Sequence, residues 1–293
     1  MKFARLALIG CGLMGGSFAL ALRQAALVTH VAGFSASEAT RQKALALGVI
    51  DTACDSAAEA AEGADLVLVA VPVRATEATL QAIDAVLSPH ALVMDVGSTK
   101  TDVVVAARAA MPQRLACFVP AHPIAGKEVA GIEHADAALY SDRQVILTPL
   151  AENPTKRVLL AHQLWQALGS RVLELSPEAH DASFAAVSHL PHLTAFALVN
   201  AVSRQPHGAQ HLSMAGPGFR DFSRIAASDP NVWRDILLAN RDEVLHQCTL
   251  MRESLHEFES AMKAGDADRL HALIAEASQT RSRWRLGGAD SDV

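Results

Sequence analysis

The sequence predicts an α/β fold in its first part and an all-α domain in its second part. Short apolar runs alternate with helical patterns up to about residue 175, and strand-like runs disappear after Ser176-Pro177, where long amphipathic patterns begin. Alternating strands and helices give right-handed crossovers and a parallel sheet that is covered by helices on both faces. We therefore predict a doubly wound parallel sheet in residues 1–175 and a helical domain in residues 176–293.

Each element is predicted from its own pattern. The near-continuous Val/Leu/Ala run after Gly63 is typical of a strand that is buried on both faces. The predicted strands are Arg5–Ile9, Thr29–Phe34, Ala64–Val71, Leu92–Asp95, Cys117–Pro120, Gln144–Thr148 and Val172–Leu175. The helices predicted between them are Leu13–Gln24, Ser37–Leu47, Ala75–Leu87 and Pro154–Leu168. Helical patterns then cover His180–Ser203, Asn231–Ala264 and Asp266–Trp284, and we expect the tail after Leu286 to be disordered.

The composition excludes several classes of protein. The net charge is −6 and aromatic residues make up 4%, which gives no support for nucleic-acid binding. The four cysteines form no CxxC pair, so we expect reduced thiols and a cytoplasmic protein. No stretch approaches the roughly 18 apolar residues of a membrane span, so we predict no membrane partner. We find no metal-ligand cluster such as HExxH and predict no metal.

A glycine-rich motif follows the first predicted strand and opens the first helix. It reads Gly10-Cys11-Gly12-Leu13-Met14-Gly15. The first glycine permits a tight turn, the second lets the backbone approach a pyrophosphate, and the third allows helix and strand to pack closely. The helix N-terminus stabilises the phosphate charge. In this strand–turn–helix context the motif predicts a Rossmann-type dinucleotide site.

The end of the second strand bears on the choice between NAD and NADP. NAD sites usually place an acid about 20 residues after the glycines to bind the ribose 2′-hydroxyl, but this chain has Ser35 there. A hydroxyl does not repel a 2′-phosphate, and Arg41 and Lys43 could add positive charge, whereas Glu38 argues the other way. We therefore favour NADP over NAD and include Ser35 and Arg41 in the cofactor site.

Two further loops carry candidate catalytic residues. Asp95-Val96-Gly97-Ser98-Thr99-Lys100 follows a strand and opens a helix, where ligands bind in such sheets, although Ser98 could simply cap the helix. His122-Pro123 follows the next predicted strand, which would hold the imidazole at a loop mouth. Histidine is the usual general base near neutral pH, so His122 could accept a hydroxyl proton as hydride leaves the same carbon.

These motifs together resemble the prephenate/arogenate dehydrogenase family. The matching segments, in order, are GCGLMGGS, DVGSTK, HPIAGKE, SHLPH at Ser188–His192 and FRDFSRIA at Phe219–Ala226, with Trp233 beyond them. The resemblance spans residues 5 to about 240. It implies oxidative decarboxylation of prephenate to 4-hydroxyphenylpyruvate, of arogenate to tyrosine, or of both, in tyrosine biosynthesis. It also implies a homodimer built through the C-terminal helices, where we note the apolar residues Leu237, Leu238, Val244, Leu245 and Leu250.

The resemblance also implies a role for each matching residue. His122 takes the place of the catalytic histidine that hydrogen-bonds the ring 4-hydroxyl, and Ser98 the place of a serine that bonds the same hydroxyl and orients that histidine. Arg224 matches an arginine that holds a substrate carboxylate. The remaining matches are His192 near the substrate side chain, His189 one turn before it, Glu128 and Asp221 at the site entrance, and Trp233 reaching across the dimer.

Two alternatives remain open from the residues themselves. A β-hydroxyacid dehydrogenase on the same two-domain plan would use a lysine of the helical domain as its base, but no lysine lies between Lys156 and Lys263. A nucleotide-sensing module without catalysis would leave Ser98, His122 and Arg224 unexplained. Lys127 stands where some relatives carry a small hydroxyl residue, so we expect recognition of the substrate side chain to differ from theirs.

Overall fold

A computed structural model describes residues 1–127 and 129–285 of the chain. Its first five strands form one parallel sheet in the spatial order β3-β2-β1-β4-β5. These strands are β1 (Phe3–Ile9), β2 (Val28–Phe34), β3 (Thr52–Ala53), β4 (Leu66–Val69) and β5 (Leu92–Asp95). The helices that connect and follow them are α1 (Leu13–Gln24), α2 (Glu38–Ala46), α3 (Ala57–Ala61), α4 (Thr76–Asp84) and α5 (Thr101–Ala110).

The sheet is covered on both faces, as the continuous apolar runs predicted. Successive side chains of β1 enter opposite cores: Leu6 and Leu8 belong to one buried cluster, and Ala7 and Ile9 to the other. The first cluster includes Phe18 of α1, and the second includes Leu80 of α4. The doubly wound α/β prediction for the N-terminal part is therefore confirmed.

A second, three-stranded sheet corrects one part of the prediction. It consists of β6 (Ala121–Pro123), β7 (Gln144–Leu147) and β8 (Arg171–Glu174), with α6 (Thr155–Ala167) between the last two. Strand β6 runs antiparallel to β7, whereas β7 and β8 are parallel. The strand predicted at Cys117–Pro120 was wrong, because Leu115–Cys117 is a 3₁₀ turn and the next residues reach β5 only through a single bridge between Phe118 and Val93.

The helical part begins with one long helix that contains a π-helical turn. Helix α7 (Pro177–Phe184), the π turn Ala185–His189 and α8 (Leu190–Ser203) are continuous over 27 residues. Ser176 caps the helix by accepting a hydrogen bond from the Ala179 amide at 3.1 Å, so it begins three residues before the predicted His180. Single π turns in α-helices are frequent at functional sites.

This long helix also bears on the membrane prediction. An 18-residue window within it has a mean hydropathy of 1.3, so it could cross a membrane by length and composition alone. This differs from the expectation that no stretch of the chain approaches the length and apolar character of a membrane span. Three polar side chains of its first half, His180, Asp181 and His189, are nevertheless buried within the protein. One such helix is weak evidence for a membrane span, and the absence of a membrane partner stays a prediction.

Shorter helices complete the first of two compact units, which covers Met1–Asn240. They are α9 (Gly208–Ser213), α10 (Pro217–Ser223) and α11 (Pro230–Ala239), with a 3₁₀ turn at Arg224–Ala227. The pattern predicted over Asn231–Ala264 is interrupted, because α11 ends at Ala239 and Asn240 lies at its C-terminus with a non-helical backbone.

The second compact unit begins at Arg241 and is described by α12 (Arg241–Ala264) and α13 (Ala267–Arg283). Leu245 and Leu250 of α12 are exposed, as is Leu238 of α11, whereas Val244 is buried. The tail predicted to be disordered lies outside the described residues. The boundary proposed after residue 175 stays a prediction, since the compact units divide after residue 240.

Candidate active site

The turn between β1 and α1 has a distinct use for each of its three glycines. Gly10 has a φ of +104°, and a Cβ atom there would lie 2.2 Å from the Ala70 carbonyl oxygen. A Cβ atom on Gly15 would lie 2.2 Å from the Gly10 carbonyl oxygen, so only glycine lets α1 pack this closely on the turn. A Cβ atom on Gly12 would meet nothing within 4 Å. This open space at the N-terminus of α1 is where dinucleotide-binding turns hold a pyrophosphate.

A cavity of about 640 Å³ lies beside this turn. About half of its lining comes from the residues that follow or end β1, β2 and β4, which places it at the carboxyl edge of the sheet: Gly10, Cys11, Gly12, Phe34, Ser35, Ala70, Val71 and Pro72. Leu13, Met14 and Gly15 form the first turn of α1 beside it, where the Met14 carbonyl oxygen accepts a hydrogen bond from the Tyr140 hydroxyl at 2.7 Å. The position, the glycines and the size fit a nicotinamide dinucleotide.

The charged residues near Ser35 are arranged differently from the expectation. Ser35 lines the cavity at the end of β2, as predicted, and so does Lys43, which forms an ion pair with Glu133 at 3.0 Å. Arg41 is not among the lining residues. Its guanidinium donates to the Ser35 carbonyl oxygen at 2.7 Å and lies 3.4 Å from the Asp55 carboxylate. Arg41 therefore supports the loop that carries Ser35, and Lys43 is the cation that reaches the cavity.

His122 lies inside β6, where it pairs with Ile146 of β7. It was expected in the loop after a strand. The backbone amide and the backbone carbonyl of the preceding residue, Ala121, both form hydrogen bonds with side chains. Its amide donates to the Asp95 carboxylate at 3.0 Å, and its carbonyl oxygen accepts from the Lys100 ammonium at 2.8 Å. Lys100 is fully buried and forms an ion pair with Asp95. Because Asp95 ends β5, these contacts place His122 at the same carboxyl edge as the glycine-rich turn.

A chain of buried hydrogen bonds leads from His122 into the helical part. The Nδ1 atom of His122 lies 2.8 Å from Nε2 of His180, and Nδ1 of His180 lies 2.8 Å from Oδ1 of Asp181. The Asp181 carboxylate also accepts from the backbone amides of Lys100 and Thr101, each at 2.8 Å. Asp181 thus caps the N-terminus of α5, where a carboxylate is also favoured by the helix dipole.

This contact changes the interpretation of Ser98. The alternative that Ser98 caps the helix is wrong, because α5 begins only at Thr101 and Asp181 supplies its cap. Ser98 is half-buried in the loop between β5 and α5, two residues before Lys100. The loop that carries Ser98 is fixed by two nearby contacts. The buried Lys100 side chain donates to the Ala121 carbonyl oxygen, and the Lys100 amide donates to Asp181.

The two histidines of the SHLPH segment carry their protons on different ring nitrogens. The Asn240 side-chain amide donates to the Asp181 carbonyl oxygen at 2.8 Å and lies 3.1 Å from Nδ1 of His189. Since a carbonyl only accepts, the amide nitrogen is the shared donor, and His189 carries its proton on Nε2. His192 instead donates from Nδ1 to the Ser188 carbonyl oxygen at 2.9 Å, which leaves a lone pair on Nε2.

An aromatic cluster surrounds these histidines. The Trp233 ring stacks on His192 with ring centroids 3.6 Å apart and 21° between the planes. His189 and Phe196 each approach the same indole edge-on, with centroids 6.2 Å away. Trp233, which the resemblance implied would reach across a dimer, therefore contacts the site histidines of its own chain.

The residues expected at the entrance are less closely assembled. Helix α10 ends at Ser223, so exposed Arg224 begins the following 3₁₀ turn instead of continuing the helix from Arg220. Asp221 forms an exposed ion pair with Arg220 at 2.9 Å. Lys127 forms an ion pair with Asp136 at 3.0 Å. Glu128, the other predicted entrance acid, lies outside the described residues.

The buried histidines are disposed to be neutral. Burial lowers the pKa of His122 well below its ordinary value, and neighbouring His180, Lys100 and His189 lower it further. Burial also lowers the pKa of His189 to about 4, and the pKa values of His180 and His192 are lowered for the same reason. A neutral imidazole is the form that accepts a proton. Within the part of the chain that the structure describes, no three His, Cys, Asp or Glu side chains are grouped to hold a metal ion.

Comparison with known proteins decides the family. The model of the prephenate dehydrogenase nucleotide-binding domain matches residues 18–174, and that of the prephenate dehydrogenase dimerization domain matches residues 176–276. The cyclohexadienyl dehydrogenase of Zymomonas mobilis is 34% identical over 95% of this chain and 95% of its own length. The chain belongs to the prephenate dehydrogenase family.

Solved structures agree with this assignment. Prephenate dehydrogenase from Aquifex aeolicus, in complex with hydroxyphenyl propionate and NAD⁺, has a TM-score of 0.90 at 34% identity and covers 96% of this chain and 98% of its own. Arogenate dehydrogenase from Synechocystis has a TM-score of 0.82 at 26% identity over 96% of this chain and 100% of its own. The family resemblance is thus confirmed, and this member is a dehydrogenase that uses a nicotinamide cofactor.

Several residues of this prephenate dehydrogenase family site were not found by sequence reasoning. Asp95 and Lys100 stood within the quoted DVGSTK motif, but no role was given to either. His180, Asp181 and Asn240 were not singled out at all, although they connect His122, His189 and the α5 N-terminus. A His-Asp pair shortly after Ser176-Pro177 is the observation that could have signalled His180 and Asp181.

Proposed function

We propose that this protein oxidatively decarboxylates prephenate, arogenate or both, with hydride transfer to a nicotinamide cofactor, in tyrosine biosynthesis. The observation that carries the proposal is a buried His122, held at the carboxyl edge of a sheet whose glycine-rich turn fits a dinucleotide. Family membership selects this reaction over a β-hydroxyacid dehydrogenase. The buried hydrogen-bond network around His122 argues against a module that only senses a nucleotide.

The chemistry needs one base and no separate decarboxylation catalyst. The cofactor, when bound, accepts a hydride from C4 of the substrate ring. His122 takes the proton of the 4-hydroxyl at Nε2, so that the hydroxyl becomes a ring carbonyl. The C1 carboxylate then leaves as CO₂, and the electron pair of the broken bond enters the ring. The ring becomes aromatic and its oxygen regains a proton, which supplies a large driving force.

The remaining family residues are proposed to bind the substrate. Ser98 would hydrogen-bond the 4-hydroxyl beside His122, and Arg224 would bind a carboxylate with its planar guanidinium. His189 offers a donor at Nε2 and His192 an acceptor at Nε2, so the pair could recognise the substrate side chain from two positions. Trp233, which stacks on His192, would fix the orientation of that ring.

Asp221 and Glu128 are proposed to contribute at the site entrance, as the family resemblance implies. The ion pair between Asp221 and Arg220 would then have to compete with any contact that Asp221 makes to Arg224 or to substrate.

NADP is the cofactor that we propose this enzyme prefers. Ser35 lines the cavity where an NAD site usually has an acid. Lys43 also lines the cavity, where its ammonium is paired with the Glu133 carboxylate at 3.0 Å and would have to exchange this partner for a 2′-phosphate. Arg41 supports this choice indirectly, because its guanidinium binds the Ser35 carbonyl oxygen and adds positive charge behind the loop.

A homodimer is the assembly that we propose for this enzyme. The C-terminal family model describes a dimerization domain, and exposed apolar side chains on α12 include Leu245, Leu250, Leu255 and Met262. The four free cysteines favour a reducing compartment, and a cytoplasmic location stays a proposal.

Initial rates with prephenate and arogenate, each with NAD⁺ and NADP⁺, test these proposals together. Reduced cofactor should appear with at least one of the two substrates, and kcat/KM should be higher with NADP⁺. A protein that binds the cofactor but reduces it with neither substrate would contradict the proposed reaction. A tenfold preference for NAD⁺ would contradict only the choice of cofactor.

A further inference from the structure

We propose that His180 and Asp181 are positioning residues that hold His122 in the tautomer a base requires, with its proton on Nδ1 and a lone pair on Nε2. The inference deepens the proposed function, on which the role of His122 as a base rests. The hydrogen bonds that join Asp181, His180 and His122 determine where the proton of each imidazole lies.

The Asp181 carboxylate is fixed in place by two backbone amides. Its Oδ1 atom accepts from the Lys100 amide and its Oδ2 atom from the Thr101 amide, both at 2.8 Å. The pKa of Asp181 is lowered, because hydrogen bonds from His180, Thr101 and Lys100 outweigh the opposing effect of burial. An ionised carboxylate only accepts, so His180 carries its proton on Nδ1, where it donates to Oδ1 at 2.8 Å.

The tautomer of His180 then determines that of His122. A neutral His180 with its proton on Nδ1 has a lone pair on Nε2. This lone pair lies 2.8 Å from Nδ1 of His122, so His122 is the donor in that contact. The proton of His122 is thereby held on Nδ1, and Nε2 is left to accept a proton from substrate.

The opposite arrangement is disfavoured by burial. If His122 carried its proton on Nε2, His180 would have to donate from its own Nε2, and a ring lone pair would then face the Asp181 carboxylate. His180 is 0% exposed and Asp181 is 3% exposed, so water has little access to separate these two acceptors. The Phe184 ring contacts both imidazoles, with its centroid 4.5 Å from that of His180 and 4.9 Å from that of His122.

The charged and titratable groups around His122 are consistent with this role. The ammonium of Lys100 comes from the loop after β5 and is paired with Asp95, while His180 and Asp181 come from α7 and His189 from the π turn. Asp181 is the group in this set that is both ionised and linked to His122 through hydrogen bonds. When His122 accepts a substrate proton, the Asp181 carboxylate stabilises the positive charge through the hydrogen bonds of His180.

The tautomers can be measured directly in the whole protein. Long-range proton–nitrogen correlation spectra of enzyme labelled with ¹⁵N in histidine distinguish protonated from unprotonated ring nitrogens, and His122→Asn and His180→Gln assign the signals. We expect Nδ1 to be protonated and Nε2 unprotonated in both His122 and His180. A proton on Nε2 of His122 at neutral pH would overturn the inference. This measurement needs no substrate, so it stands even if the proposed reaction fails.

Two substitutions at one position test the consequence for catalysis. His180→Leu removes the acceptor for His122, whereas His180→Gln keeps an acceptor and a donor at a similar spacing. His180→Leu should lower kcat about 10- to 100-fold, the range found for partners that orient metal-binding histidines. KM and cofactor affinity should stay within about twofold, and His180→Gln should lie between His180→Leu and the wild type.

A matched control is His30→Gln, because His30 also lies beside a carboxylate, 3.7 Å from Asp51, and is located on β2. It should leave kcat unchanged. Equal losses in His180→Leu and His180→Gln would show that the imidazole acts only through packing, and a loss under threefold in His180→Leu would show that it does not position His122. Should His180→Leu fail to fold, the tautomers of the wild type still decide the inference.

Discussion

Acidification should destabilise this protein through the buried imidazole of His189. His189 is 1% exposed, and its Nδ1 atom lies 3.1 Å from the Asn240 amide nitrogen that also donates to the Asp181 carbonyl oxygen. Protonation would place an N–H group against that donor. Burial is the largest cause that lowers the pKa of His189 from 6.5 to about 4. The folded chain therefore binds this proton less readily than the unfolded chain does.

The direction and magnitude follow from this difference. Because the pKa is lower in the folded state, the unfolded state binds more protons between pH 6.5 and about 4, and stability falls as the pH falls through that window. The full difference corresponds to about 3 kcal/mol at 1.36 kcal/mol per pKa unit. Between pH 7 and pH 4.5, His189 alone should remove about 2 kcal/mol from the free energy of unfolding.

Urea unfolding of the wild type and of His189→Gln at these two pH values measures the effect. Glutamine does not titrate and retains an oxygen that can accept from Asn240. The variant should therefore lose about 2 kcal/mol less than the wild type between pH 7 and pH 4.5. His211→Gln, at an exposed position on α9, is the control and should follow the wild type. Equal losses in the wild type and in His189→Gln would refute the reasoning.

Three further predictions concern cofactor, substrate and assembly. Ser35→Asp should shift kcat/KM from NADP⁺ toward NAD⁺, because a carboxylate repels the 2′-phosphate; an unchanged ratio in initial-rate kinetics would argue against Ser35 as the selecting position. Arg224→Ala should raise KM by roughly 30- to 1000-fold, equivalent to about 2–4 kcal/mol of charge-assisted hydrogen bonding. Arg220→Ala should do much less, and the reverse order would select the other arginine. Light scattering at micromolar concentration should give the mass of a dimer, whereas a monomer would contradict the proposed use of the α12 surface.

Sequence reasoning succeeded where the signal is local. Close contacts with Ala70 and within the turn require glycine at Gly10 and Gly15, and the spacing of the three glycines alone was sufficient to identify the motif. The continuous apolar runs of β4 and β5 likewise report burial on both faces. Such features depend on residues that lie near one another in the chain or on a simple periodicity.

The hydrogen-bond network behind His122 could not be predicted in the same way. His122 and His180 are 58 residues apart, and Asp181 caps a helix whose first amides lie about 80 residues earlier. Neither contact leaves a local pattern. The break between α11 and α12 could not be predicted for the same reason, because the Asn240 side chain forms hydrogen bonds with Asp181 and His189, which lie more than 50 residues earlier in the chain. The strand that carries His122 was predicted a few residues too early, because its pairing with the strand that contains Ile146 is a tertiary contact.

Arg41 shows a different limit. Its position shortly after Ser35 made it a reasonable candidate to bind a 2′-phosphate. Only the structure shows that its guanidinium binds the Ser35 carbonyl oxygen and approaches Asp55, while Lys43 lines the cavity. Charge near a site can be predicted from sequence, but the group that each charge contacts is set by the fold.

Product analysis of the wild type and of His122→Asn tests the central claim most directly. With its preferred substrate and cofactor, the wild type should form reduced cofactor, CO₂ and the aromatic product (4-hydroxyphenylpyruvate from prephenate or tyrosine from arogenate) in equal amounts. His122→Asn should bind the cofactor normally but lose kcat by roughly 10²- to 10⁴-fold, the usual contribution of a general base. A wild type that forms no CO₂ from prephenate or arogenate, or a loss of less than threefold in His122→Asn, would contradict the account.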